Sequence, residues 1–110
     1  MDDTELLRKA VSELRRGVIV LAVLSQLSEA QYGYQLMKEL SEKGLDVEQG
    51  TLYPLLRRLE SQGLLDSDWR VEADRPRRYY VLSAQGAQIF PQLEQEWADL
   101  VATLDKVLAS

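Results

Sequence analysis

Apolar positions recur every three or four residues along most of this chain, every two residues in a short central stretch, and every three or four again to the end. In residues 4–14, Leu7, Val11 and Leu14 stand four and three apart, which predicts an amphipathic helix with Thr4 as its cap and Glu5 in its first turn. Residues 17–27 are open on periodicity alone: Val18, Ile19 and Val20 suit a strand, whereas the continuation through Leu21, Leu24 and Leu27 suits a buried helix, the reading that length favours. Residues 31–43 repeat an apolar face at Gly33, Leu36, Met37 and Leu40, with Gly44 where a C-terminal cap belongs. After the link Leu45–Gln49, residues 50–62 carry one stripe of Leu52, Leu55, Leu56 and Leu59, closed by Gly63. Two helices this close have helix-turn-helix spacing.

Beyond Gly63 the period changes to two. Leu65, Trp69 and Val71 in residues 64–71, and Tyr79 and Val81 in residues 77–83, predict two strands flanking a polar, charged tip over residues 72–77 that contains Pro76. A last helix is expected from a cap at Ser83 to Leu108. Its positions Phe90, Leu93, Trp97, Leu100, Leu104 and Val107 alternate spacings of three and four, a heptad seam that suits a partner helix, the same helix of a second chain above all. The competing reading is a helix that only covers its own core. Pro91 removes one helical hydrogen bond and predicts a kink near residues 87–91.

Composition narrows the chemistry. With 110 residues, no cysteine and no histidine, the chain has no disulfide, no thiolate or Ser-His catalysis and no zinc site of the usual kind. The carboxylate pairs Asp66/Asp68 and Glu94/Glu96 have no basic or nucleophilic neighbour, so neither an enzyme nor a cofactor is expected. The longest apolar run, Val18–Leu24, is far shorter than the ~20 residues that span a bilayer and starts too late for a signal peptide, so a cytoplasmic protein without membrane contact is expected.

The formal charge of −5 argues against nucleic acid only if it is evenly spread. It is not. Residues 1–48 hold 6 basic and 9 acidic groups and residues 83–110 hold 1 and 4, but residues 49–82 hold 6 and 5. All six basic groups of that middle third are arginines, suited to bidentate contact with phosphate and guanine. On a helical wheel of residues 50–62, with the leucines inward, Gly50, Pro54, Arg57 and Ser61 point away from the core, flanked by Tyr53 and Arg58. Such a face can enter a major groove, and it can equally be a solvated surface. The run Arg75–Pro76–Arg77–Arg78 would lay three arginines along a duplex backbone or serve as a solubility device. The order of helix pair, Tyr/Arg face and basic hairpin favours double-stranded DNA; the alternative is a winged-helix interaction module that docks an acidic protein.

The blocks YGYQLMKEL (32–40), GTLYPLLRRLESQGLL (50–65) and RRYYVLSAQG (77–86) resemble the signature blocks of PadR-like transcriptional regulators, in order and spacing across residues 17–108. The resemblance implies a mainly α winged helix-turn-helix over residues 1–82, with a two-stranded wing, and a dimerisation helix over residues 83–110. It makes residues 17–27 helical, and it implies a homodimeric repressor on a palindromic operator. Carried over residue by residue, it points to Tyr32, Gln49, Thr51, Tyr53, Pro54, Arg57, Arg75, Arg77 and Arg78 as DNA contacts. Phe90, Leu93, Trp97, Leu100, Leu104 and Val107 are the expected dimer residues. One tyrosine of the YGY block is expected in the core, Tyr34 in preference to Tyr32, and one of Tyr79 and Tyr80. Relatives that stack a planar aromatic ligand on a tryptophan of the last helix make Trp97 the candidate effector residue, the other reading being that it fills the dimer core.

Overall fold

The computed structural model describes residues 1–109. A single helix, α1 (Asp3–Ser25), takes in both N-terminal segments, because Gly17 interrupts neither backbone nor packing. Its cap is Asp2, whose Oδ1 accepts from the Glu5 amide at 2.8 Å, and Thr4 lies inside the first turn. The expected cap is thus displaced by two residues.

The chain next forms a two-residue strand, β1 (Gln31–Tyr32), then α2 (Gly33–Glu42) and α3 (Gln49–Ser61). Both α2 and α3 end in a glycine of positive φ, 96° at Gly44 and 91° at Gly63. Each is closed by the paired backbone bonds of a Schellman motif: Leu45 N–H to the Leu40 carbonyl with Gly44 to Ser41, and Leu64 to Leu59 with Gly63 to Glu60. Strands β2 (Leu65–Glu72) and β3 (Arg75–Leu82) pair antiparallel from Leu65↔Leu82 to Glu72↔Arg75, and β1 adds to the other side of β3 through Gln31↔Tyr80 and Tyr32↔Tyr79. The sheet order is therefore β1-β3-β2, one strand more than the sequence pattern predicts.

The hairpin is also tighter than expected. Only Ala73 and Asp74 turn, with φ of 50° and 63° in the left-handed region, and the remainder of the polar stretch 72–77 is strand. Pro76 pairs opposite Val71, where its missing N–H costs no ladder bond: adjacent to a two-residue turn, this is a non-hydrogen-bonded pair, and β1 does not extend that far. The alternation of Trp69 and Val71 marks one face of β2, but that face overhangs the domain, and the two side chains are 64% and 75% exposed.

The core joins Val23, Leu24 and Leu27 of α1 and its exit, Leu36 and Leu40 of α2, Leu52, Leu55, Leu56 and Leu59 of α3, Leu65 of β2 and Tyr80 of β3. The leucine stripe of α3 is wholly buried, which leaves its opposite face free.

The last helix, α4 (Ala84–Ala109), is rooted against the end of α3. Ser83 caps it, its Oγ accepting from the Gly86 amide at 2.9 Å and donating to the Gly63 carbonyl at 2.6 Å, while the Ser83 amide donates to the Leu64 carbonyl at 3.0 Å. Gly86 faces that same carbonyl so closely that a Cβ would lie 2.1 Å from it. The helix runs unbroken through Pro91. Its heptad seam divides in two. Phe90 and Leu93 pack on the chain's own core, whereas Trp97, Leu100, Leu104 and Val107 are exposed, as are Leu7, Val11 and Leu14 of α1. None of the described helices is long and apolar enough to cross a membrane.

Candidate nucleic-acid interface

Burial of Leu52, Leu55, Leu56 and Leu59 turns Gln49, Gly50, Thr51, Pro54, Arg57, Arg58 and Ser61 outward along α3. Among the described residues no side chain hydrogen-bonds the N-terminus of α3. Tyr53 departs from the expected exposed position. It is half-buried, its ring lying over Gly33 at the start of α2, where a Cβ would come within 2.2 Å of Tyr53 Cε1. The close approach explains the glycine in the YGY block: only a residue without a side chain lets the tyrosine of α3 seat against α2.

Neither tyrosine of that block enters the core, contrary to the expectation for Tyr34. Tyr34 is 55% exposed, while Tyr32 is half-buried with its ring edge-on to Tyr79 at 5.4 Å. Tyr32 belongs to β1, whose pairing with Tyr79 points it into the sheet's outer cluster, and Tyr34 lies in the first turn of α2 on its exposed side. Tyr79 and Tyr80 are both covered, not one of the pair. Tyr80 enters the core, and Tyr79 on the opposite face is roofed by Tyr32 and by the Arg70 guanidinium at 4.3 Å. The Tyr79 hydroxyl donates to Glu72 at 2.6 Å, and that bond, with burial, raises its pKa above the ordinary 10.0; desolvation does the same for Tyr80.

The six arginines of residues 49–82 fall into two groups. Among the described residues, Arg57, Arg58 and Arg75 have no ion-pair partner, so their charge is available to a ligand. The other three are engaged. Arg78 lies 2.9 Å from Glu60 of α3 and donates through Nε to Ser67 at 2.9 Å, while Ser67 donates to the same Glu60. This three-residue knot ties the end of α3 to the base of the hairpin and engages Arg78 through Nε and Nη2. Arg70 pairs with Asp68 at 3.4 Å, and Arg77 with Glu72 at 3.9 Å while lying over the Tyr32 ring at 4.3 Å. Glu60, Ser67 and Glu72 escape sequence reading because their partners sit up to 18 residues away. Strand parity, which sets Arg70, Glu72, Arg77 and Tyr79 on one face, is the signal that could have found Glu72.

A helix with an open Arg face, leading into an arginine-bearing hairpin tied to it through Arg78 and Glu60, is the geometry of a major-groove reader with an adjoining wing. Known proteins agree. Residues 20–92 match the family model described as the transcriptional regulator PadR-like family. The chain is 41% identical over 75 residues to a transcriptional regulator of Mycobacterium tuberculosis, covering 67% of this chain and 70% of that one. Its structure resembles that of a PadR family transcriptional regulator from Eggerthella lenta, with a TM-score of 0.86, 45% identity and coverage of 96% and 94% of the two chains. It also resembles a PadR-like transcription factor from Bacteroides fragilis, with a TM-score of 0.75, 33% identity and coverage of 90% and 98%. The chain belongs to the PadR-like family of DNA-binding transcriptional regulators.

Proposed function

We propose that this regulator is a cytoplasmic homodimeric repressor that seats one α3 per subunit in the major groove of a palindromic operator. Members of its family are regulators of transcription and not enzymes. The observation that carries the reading is the open face of α3, where Arg57 stands exposed and, among the described residues, unpaired beside Thr51 and Pro54 above a fully buried leucine stripe. Arg57 reads a base, Gln49, Thr51 and Tyr53 position it, and Arg75 and Arg77 hold the duplex backbone. Tyr32 acts through Arg77, which it stacks, and Arg78 through its knot with Glu60. Arg57→Ala should cost about 1–3 kcal/mol of operator affinity and relax base preference at one position per half-site. Anisotropy titration against a selected duplex and its single-base variants measures both; equal weakening on every sequence would make Arg57 a phosphate contact instead.

Dimerisation would cover the exposed stripes of both terminal helices. Beside α1 runs a groove of about 790 Å³ lined by the apolar Val11 and Ile19, by the basic Arg8, Lys9, Arg15, Arg16 and Arg58, and by Asp46, Glu48 and Thr51 where it meets the start of α3. The described part of α4 offers the complement, with Trp97, Leu100 and Leu104 on its apolar side and Glu94, Glu96, Asp99 and Asp105 against a single Lys106. A dimer closed in this way has two heads whose separation depends on α4, and steric block of polymerase at a promoter follows from its seat on the operator.

Trp97 belongs to this stripe and would gain its opposite wall only from a second chain, which supports a slot for a planar aromatic effector. With Trp69→Phe as background, Trp97 fluorescence should be quenched saturably by such a compound; a varied panel that leaves it unchanged would confine Trp97 to packing.

A further inference from the structure

The outer face of the hairpin carries Asp68, Arg70 and Glu72 from β2 and Arg75, Arg77 and Tyr79 from β3, with Tyr32 of β1 beside Tyr79. Two guanidinium groups stack on the two tyrosine rings, each at 4.3 Å, and the rings meet edge to face. Stacking fixes the plane of a guanidinium while leaving its N–H edge free, an arrangement suited to phosphate. Yet the charges on this face largely cancel. Asp68 sits 3.4 Å from Arg70 and Glu72 sits 3.9 Å from Arg77. Glu72 is held in place by the Tyr79 hydroxyl at 2.6 Å, so its carboxylate is a fixed occupant and not a passing one. A phosphate approaching Arg77 meets the repulsion of an anion already fixed beside it.

We propose that Glu72 is a specificity-determining residue: it holds Arg77 in an internal pair, suppresses the wing's contact with arbitrary phosphate, and releases Arg77 only when α3 is seated in its site. The proposal rests on the reading of the wing as a backbone contact. Non-specific affinity is almost wholly phosphate neutralisation, so one arginine withheld per subunit acts on it directly. Operator binding has base contacts with which to offset the exchange of Glu72 for phosphate, and unrelated sequence has none.

The test uses the full-length protein, a duplex of unrelated sequence and a duplex selected from a random pool, with affinities followed over a range of salt. Glu72→Gln keeps an acceptor for Tyr79 and removes the charge. It should raise affinity for the unrelated duplex several-fold and steepen its salt dependence by about one neutralised phosphate per subunit. Affinity for the selected duplex should rise less, so the ratio between the two falls. Arg77→Ala added to Glu72→Gln should cancel the gain, and Tyr79→Phe, which frees Glu72 but keeps its charge, should give a smaller gain than Glu72→Gln. Unchanged or weakened binding in Glu72→Gln, or a gain that survives Arg77→Ala, overturns the proposal. Arg77→Ala alone, on the selected duplex, separates the two failures. A shallower slope there keeps the wing on the DNA whatever Glu72 does, and an unchanged slope takes the wing off it and the proposal with it.

Discussion

Gly86→Ala should lower the melting temperature by about 10 °C or more, or prevent folding altogether. The added Cβ would sit 2.1 Å from the Leu64 carbonyl oxygen and 3.3 Å from Leu64 Cα, and these are backbone atoms with no rotamer to change. The carbonyl is itself fixed, because it accepts from the Ser83 amide at 3.0 Å, and Ser83 caps α4 at the same point. Relief therefore requires α4 to move off the end of α3, taking Phe90 and Leu93 from the core they cover. Overpacking of this kind costs about 3 kcal/mol or more, which in a domain of this size corresponds to the expected shift. Two other glycines provide the contrast. Gly17 and Gly50 lie in helices with nothing within 4 Å of the Cβ position, so Gly17→Ala should stabilise α1 by about 0.5–1 kcal/mol. Thermal unfolding followed by circular dichroism measures both, and a Gly86→Ala protein as stable as the parent would mean that α4 is not seated on Leu64.

Replacing Leu100 and Leu104 together by Glu should leave a folded protein that is monomeric and has lost about 10²–10⁴ of its operator affinity. Leu100 is 61% exposed and Leu104 is also open, so neither supports its own domain, and two added carboxylates join a helix already rich in acids. Two DNA-reading heads held together bind the second half-site as an intramolecular event, and separating them forfeits that advantage without touching one DNA contact. Sedimentation reports the assembly state and anisotropy the affinity. A dimer that persists, or an affinity that survives dissociation, would contradict the proposed role of α4.

The sequence made some of this legible for physical reasons. The α3 leucine stripe, the glycine stops at Gly44 and Gly63 and the Ser83 cap are written in local chemistry: one periodicity, one left-handed residue, one hydroxyl. The division of charge also needed only counting, and it located the six arginines of α3 and the hairpin. What was illegible depends on partners distant in the chain. Strand β1 is two residues long and exists because Gln31 and Tyr32 meet Tyr80 and Tyr79, and that register also decides that Tyr32 packs on Tyr79 while Tyr34 stays exposed. Tyr79 is covered without entering the core, by rings and guanidinium groups from β1 and β2, so alternation alone could not place it. Arg78 looks like its neighbours in a run of wing arginines, and only the fold brings Glu60 to it. The sharp two-residue turn at Ala73–Asp74 was hidden by a polar composition that suits a longer loop equally well.

The net charge of −5 now has a structural distribution as well as a sequence one. Three of the six central arginines are neutralised within the chain, by Asp68, Glu72 and Glu60, and Arg57, Arg58 and Arg75 are left unpaired among the described residues. A protein built in this way should hold non-specific DNA weakly and depend on a few well-placed cations for its operator.

Selection of bound sequences from a random duplex pool, with the wild-type protein and Arg57→Ala in parallel, tests the central claim most directly. The expected result is a motif of two inverted half-sites with centres roughly 34 Å apart, in which Arg57→Ala loses the preference at one symmetric pair of positions and keeps the rest. Failure to enrich any motif, or a motif identical in the variant, would contradict the assignment of α3 as the reading helix and Arg57 as its reader.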